Sequence, residues 1–372
     1  MEPAWFSDYR KKALEKAKNA ALPEFKYGLA ITIKPDFDFS TLIGGEAKVK
    51  AMTKVPSGVE ATEGNAFPKK FESFFKEFEE DTHKLFWLHQ AHANRFLSIT
   101  IPENKNIEQA IEIDESVEKG PLFETIFIHA KKGSSSKIIL RRDGTLKTGY
   151  VSDDIRVIAE PRSKIEIITI QNLPKDCTAI QRRASRAKKA AVVNWIDLCF
   201  GATYTKSDMW NDLVGEEAQG TITVLFNGTG TQKQDFYTAS RHLAPYTTSD
   251  ILTKGVLNKQ AKGLSRGLVK IAQNAQGSNG YEKQDLLLLS PDAEADAIPN
   301  LEIDNNEVRC THGSTIGQID AEKLFYLMSR GLSKEAATRK IVEGYFAPVL
   351  EHFTDPQVRE KMEASILALL EE

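Results

Sequence analysis

Cysteine is scarce in this chain, with three among 372 residues. That excludes a disulfide framework and points to a reducing compartment. Long apolar runs are missing too, and every apolar stretch falls well short of the roughly 20 residues a membrane-spanning helix needs. Neither sign of charge dominates: 49 Lys and Arg against 52 Asp and Glu leave a formal net charge of −3. Nucleic acid and acidic membrane surfaces are therefore not expected partners. The opening Met1-Glu2-Pro3-Ala4-Trp5 lacks the basic region and apolar run of a secretory signal. Phosphate-binding loops are absent as well. Gly133-Ser134-Ser135-Ser136-Lys137 and Asn227-Gly228-Thr229-Gly230 fit neither the GxxxxGK(S/T) nor the GxGxxG pattern at a helix entry, so both read as turns. A soluble, cytoplasmic protein without a P-loop is expected.

What is present is ordinary globular composition, 41% hydrophobic and 27% charged, enough for a large core or one elongated domain with helical ends. Residues 1–93 read as a helical region. Trp5, Tyr9, Ala13 and Ala17 recur at helical spacing up to Pro23. After a mixed stretch from Tyr27 to Gly64, Phe71, Phe74, Phe75 and Phe78 form one apolar stripe, with Leu85, Phe86 and Leu88 continuing beyond it. This stripe reads as packing.

Residues 94–318 change character. Short β-rich runs follow one another: Phe96–Ile101, Thr125–His129, Lys137–Arg141, Ile155–Ala159, Lys164–Ile170, Thr221–Phe226, Gly267–Ala272 and Asp285–Leu289. Turn formers such as Asp143-Gly144 separate several of them. Such arrays are sandwiches, barrels or β-solenoids, and the pattern alone does not choose among them. Residues 319–372 are helical again. Asp320 is placed to cap a helix carrying Leu324, Phe325, Leu327 and Met328 that stops at Gly331. Ser333 caps the next, with Ala337, Ile341, Val342 and Tyr345 inward, and Asp355-Pro356 opens a last one.

Three segments near the end are distinctive: Pro299-Asn300-Leu301-Glu302-Ile303, Val308-Arg309-Cys310-Thr311-His312-Gly313-Ser314-Thr315, and Leu324-Phe325-Tyr326-Leu327-Met328-Ser329-Arg330-Gly331. His242-Leu243-Ala244-Pro245 and the opening Glu2-Pro3-Ala4-Trp5 accompany them. Together they resemble the SufB/SufD family of the SUF iron–sulfur cluster assembly system. Cys-X-His-Gly ahead of the phenylalanine–tyrosine helix is similar to the SufD branch, where the SufB branch tends to carry Glu-His-Glu. The resemblance implies a mainly β fold, with a right-handed parallel β-helix core flanked by N- and C-terminal helical regions. It implies a scaffold and not an enzyme, paired with SufB and with two copies of the ATPase SufC. A transient iron–sulfur cluster would be shared with SufB, and none is expected in the isolated chain. His312 and Cys310 would supply metal ligands; Leu324, Phe325, Tyr326, Arg330 and Gly331 would face SufC.

The chemistry of Cys310 and His312 is consistent with that role. Two apart on a strand, they point to one face, and a thiolate beside an imidazole suits iron or zinc. Two ligands are too few for a cluster, which commonly takes four, and Cys177 and Cys199 stand alone in sequence. A cluster here must borrow ligands from another chain. Cys310 reads equally as core filling and as a ligand; Cys177 and Cys199 read as core.

Other features are read more plainly. The basic run Gln181-Arg182-Arg183-Ala184-Ser185-Arg186-Ala187-Lys188-Lys189 lacks interleaved aromatics, so a solvated or partner-facing edge is expected. His89 and His92, i and i+3 apart, read as a surface helix edge and not a zinc site. Two further functional readings are a SufB-like homodimer in which two copies of His312 face each other, and a carbohydrate-active β-helix enzyme. The latter needs clustered carboxylates, for which isolated Asp153-Asp154 with Arg156 is the nearest candidate.

Overall fold

The computed structural model describes residues 3–23, 46–64, 67, 69–78, 83–350, 359–360 and 363–364. Helix α1 (Ala4–Asn19) leads to strands β1 (Lys48–Lys54) and β2 (Glu60–Gly64), then short helix α2 (Glu72–Lys76) and α3 (Lys84–His92). Sixteen strands follow: β3 (Arg95–Ile101), β4 (Ile111–Lys119), β5 (Leu122–Ala130), β6 (Ser135–Gly144), β7 (Gly149–Ala159), β8 (Lys164–Asn172), β9 (Cys177–Ala187), β10 (Val192–Cys199), β11 (Tyr204–Leu213), β12 (Gln219–Gly228), β13 (Lys233–His242), β14 (Thr248–Leu257), β15 (Lys262–Ile271), β16 (Asn279–Leu288), β17 (Glu294–Ile303) and β18 (Arg309–Gln318). Helices α4 (Ala321–Ser329) and α5 (Lys334–Leu350) follow. Of the helix expected after Asp355-Pro356, Arg359, Glu360, Glu363 and Ala364 are described and are helical; the rest lies outside the described residues.

From β4 onward the even strands form one nine-stranded sheet with β1 at its end, and the odd strands another with β2 at its end. Within each sheet β3 to β18 pair in parallel with the strand one coil away, while β1 and β2 add antiparallel. This is a parallel β-helix of two facing sheets, and it settles the choice the strand pattern left open. Parallel stacking places like positions of successive coils in columns. Ile111, Ile138, Ile167, Trp195, Ile222 and Ile251 form one such column, all fully buried between the sheets.

Both outer faces are also covered. Phe71, Phe75 and Phe6 pack on Phe96 and Phe127 over the odd sheet, and Leu85 of α3 packs beside Phe123, Tyr150 and Tyr204. On the even sheet, Val342, Phe346 and Val349 of α5 sit against Ile139, Ile168, Leu198, Leu225 and Val256. Strands buried on both faces read as near-continuous buried runs, as in the pattern of β7 and β9.

The structure departs from the sequence reading in several places. Lys48–Lys54 and Glu60–Gly64 are strands inside the region read as helical. Strands β4, β9, β10, β11, β13, β14 and β17 were not expected, because inward polar residues such as Arg183 and Asn211 interrupt the apolar alternation. Asp143-Gly144 ends β6 and is not a turn between strands.

At the C-terminal end Asp320 does cap α4, accepting from the backbone N–H groups of Glu322 and Lys323, and Gly331 adopts a positive φ of 95° as the helix stops. The apolar stripe of α4 is not core, however. No residue of α4 is buried, and Phe325 and Tyr326 are 73% and 57% exposed.

Candidate functional site

The solenoid ends on β17 and β18, the outermost strands of the two sheets, and no described strand pairs with their free edges. Every earlier coil is covered by the next; among the described residues no further coil covers the last, and most of β18 is solvent-exposed. Cys310 and His312 lie on β18 on the face that continues the lumen, in register with Gly280 and Glu282 of β16. His312 is exposed and Cys310 half-buried. Burial, and secondarily the nearby Glu282 carboxylate, push the Cys310 thiol up to about 11. On the opposite face of the strand, a Cβ at Gly313 would meet nothing within 4 Å.

Beneath this rung is a buried polar layer that sequence reading missed. Glu282 is 0% exposed; its Oε1 accepts from Gln284 Nε2 at 2.6 Å, and its Oε2 has no partner among the described residues. Burial pushes the Glu282 carboxyl up to about 7. His242 lies between Thr247 Oγ1 at 2.7 Å and Ser249 Oγ at 2.8 Å, and burial holds it down at about 4. The clue lay in coil-to-coil register, which requires knowing the coil length. Among the described residues no group of three His, Cys, Asp or Glu side chains could hold a metal ion on its own.

Only the end of the basic run is a solvated edge, with Lys188 half-buried and Lys189 exposed. Arg182 and Arg183 are buried and face opposite sides of β9. Inside the lumen, Arg183 bonds Asp153, which also bonds Arg142. Arg142 in turn contacts Glu115 Oε2 at 2.6 Å and Glu124, and Arg95 reaches Glu115 and Glu124 at 3.1 Å each. Outside the lumen, Asp154 receives Arg156 at 2.6 Å and Arg182 at 2.9 Å, and the Arg156 guanidinium lies 4.8 Å from the Phe75 ring centroid. Asp153 and Asp154 are thus neutralised on opposite faces, which removes them as a paired catalytic site. His89, expected at a surface, is buried between Ser152 Oγ at 2.7 Å and Thr125 Oγ1 at 2.9 Å; the helix edge it occupies faces β7 and β5. Cys177 and Cys199 are buried, as core cysteines are.

A cleft of about 270 Å³ on the outer face of the odd sheet is lined by His83, Lys206, Asp208, Trp210, Tyr237 and Arg266. Its charges answer one another, with His83 on Asp208 at 3.2 Å, Lys206 on Asp208, and Arg266 on Asp235.

The lumen carboxylates make a testable pH signature. Glu124 is pushed up to about 8, first by burial and then by Glu115 beside it, against the pull of Arg142 and Arg95. A carboxyl whose pKa is raised on folding contributes stability that is complete below its unfolded pKa, about 4.5, and is lost as pH rises through about 8. The thermal midpoint is therefore expected to fall between neutral and mildly alkaline pH, and Glu124→Gln to flatten that fall. An unchanged pH profile in Glu124→Gln would assign the slope to other groups.

Comparison with known proteins adds the family context. Residues 113–345 match the family described as SUF system FeS cluster assembly, SufBD core domain. The chain is 28% identical to the iron–sulfur cluster assembly protein SufD of Bacillus subtilis over 288 residues, 76% of this chain and 66% of that protein. It is 32% identical over 196 residues to an iron–sulfur cluster assembly SufBD family protein of Mycobacterium tuberculosis, 52% of this chain and 23% of that one. A SufBD family protein of Staphylococcus haemolyticus is 28% identical over 258 residues, 67% of this chain and 55% of that one. The chain spans less than two thirds of the length of each of these relatives.

Proposed function

The chain belongs to the SufBD family of iron–sulfur cluster assembly proteins, and we propose that within it this chain is a scaffold, pairing with a SufB-type chain and presenting its end rung to a forming cluster. The iron–sulfur cluster is cargo, assembled between chains and passed on. The observation that carries the reading is the pair Cys310 and His312 on the last described strand of the solenoid, in line with the lumen and at a sheet edge that no described strand pairs. An edge strand offers a row of free backbone donors and acceptors to a second chain, and a two-ligand set is completed only by such a chain.

The donor types fit the cargo. Cys310 supplies a soft sulfur once its proton leaves, and His312 a borderline nitrogen. The free thiol's high pKa keeps the unloaded site protonated at neutral pH, so metal arrival is what draws the proton off. The exposed α4 is the proposed docking face for the ATPase SufC, whose nucleotide cycle would open the interface; the energy source is placed in the partner.

The test is His312→Ala in the co-expressed complex. Iron and sulfide content is expected to fall at least severalfold, while size-exclusion chromatography shows the complex intact, because exposed His312 contributes nothing to the core. Cys310→Ser is expected to have the smaller effect. Wild-type loading in His312→Ala would overturn the reading. A chain that elutes as a dimer of itself, with loading unaffected by a SufB-type partner, would favour the homodimeric arrangement.

A further inference from the structure

We infer that Glu282 is the counter-charge for the metal received at the Cys310–His312 rung, a residue of this chain placed one coil behind its ligands to hold iron there. The inference rests on the reading of that rung given above.

The column to which Glu282 belongs carries the argument. Ile111, Ile138, Ile167, Trp195, Ile222 and Ile251 occupy it in the six preceding coils, and His312 in the one that follows. A carboxylate therefore replaces an apolar side chain only at the position immediately behind His312. Burying a carboxyl without a compensating partner is costly. Elsewhere in this lumen the cost is met: Glu115, Glu124 and Asp153 each face arginine. Glu282 faces none. It is fully buried, no Lys or Arg ion pair reaches it among the described residues, and Oε2 has no hydrogen-bond donor.

The opposite wall accommodates it as well. Gly267 of β15 lies across the lumen, and a Cβ there would sit 1.4 Å from Glu282 Oε1. A costly group given dedicated space, beside a proposed metal rung, is the mark of function traded against stability. The charge balance agrees. One ferrous ion with one thiolate and one carboxylate is neutral when His312 is a neutral donor, the Cys310 proton, and that of Glu282 where it is present, leaving to solvent. Because no three-ligand group is assembled among the described residues, Glu282 acts as a positioning residue through the field at the rung and not as a direct ligand. Fixed charge behind a ligand shell typically changes metal affinity about 10–100-fold.

The experiment uses the full chain co-expressed with its SufB-type partner, anaerobically, with Co(II) as the probe for ferrous iron. Cobalt–thiolate absorption reports ligation, and metal-free thermal unfolding reports stability. Glu282→Gln keeps the shape and the contact with Gln284 but removes the charge. It is expected to raise the metal-free thermal midpoint by a few degrees and to weaken Co(II) binding about tenfold or more; Glu282→Asp retains most of the affinity. A Glu282→Gln chain that binds Co(II) like wild type while His312→Ala binds weakly would overturn this inference alone. A lowered midpoint in Glu282→Gln would also overturn it, by showing the carboxylate to be structural. A wild-type complex without a cobalt–thiolate band, or one whose band is unchanged in His312→Ala, would overturn the rung itself and this inference with it.

Discussion

Arg142→Ala is expected to cost the folded chain about 3–5 kcal/mol, the usual penalty for removing one partner of a buried ionic group. Arg142 is the hub of the lumen network: its guanidinium contacts Glu115 at 2.9 and 2.6 Å and also contacts Glu124 and Asp153, all of them buried. Its loss leaves Glu115 and Glu124 to share Arg95, and Asp153 to Arg183, with the negative charge under-compensated in a medium that cannot solvate it. Against a total stability of about 5–15 kcal/mol for a typical domain, that is a large fraction. Chemical denaturation followed by circular dichroism measures it. The mechanism is checked by adding Glu115→Gln and Asp153→Asn to the Arg142→Ala chain. Recovery of most of the loss shows that the stranded charges were the cause, whereas additive further loss would mean that packing around the arginine stem is what matters.

Phe325→Asp together with Tyr326→Asp is expected to abolish co-purification with the ATPase subunit while leaving the thermal midpoint of the chain unchanged. No residue of α4 is buried, so this helix contributes little to the fold and its substitutions stay near ±0.5 kcal/mol. As aromatic anchors at the centre of an interface the same two residues are worth about 2 kcal/mol or more each, together roughly a thousandfold in affinity. Arg330 lies 5.2 Å from the Tyr326 ring centroid and steadies it for contact. Undiminished ATPase binding by the double variant would move the docking face elsewhere on the chain.

Local grammar was sufficient for some elements. Asp320 caps α4 and Ser333 Oγ accepts from Ala336 N–H at 3.2 Å, because a cap is decided by side chains two or three residues from the backbone they satisfy. The Phe71–Phe78 stripe was legible as packing from its spacing, although only Glu72–Lys76 is α-helical and Phe78 packs apart from Phe71 and Phe75, against Ile158, Ala184 and Trp210. The Cys310–His312 pair was legible too, as i and i+2 on a strand share a face whatever surrounds them.

Tertiary structure decided whatever depended on the coil. The period of two tells which residues of β9 share a face, but not that both faces are covered; Phe78 and Phe86, about a hundred positions earlier in the chain, close over Arg182. Hence the Arg182–Arg183 part of a run that reads as a surface patch is buried as ion pairs. His89 went the same way, its helix edge turned onto Thr125 and Ser152 instead of water. The α4 stripe went the other way, apolar by sequence yet left uncovered by any described part of this chain. Glu282 shows the limit most plainly. Its place behind His312 exists only because β16 and β18 stack in register, and coil length, set by turns of unequal size, is a property of the whole solenoid that no local window of sequence contains.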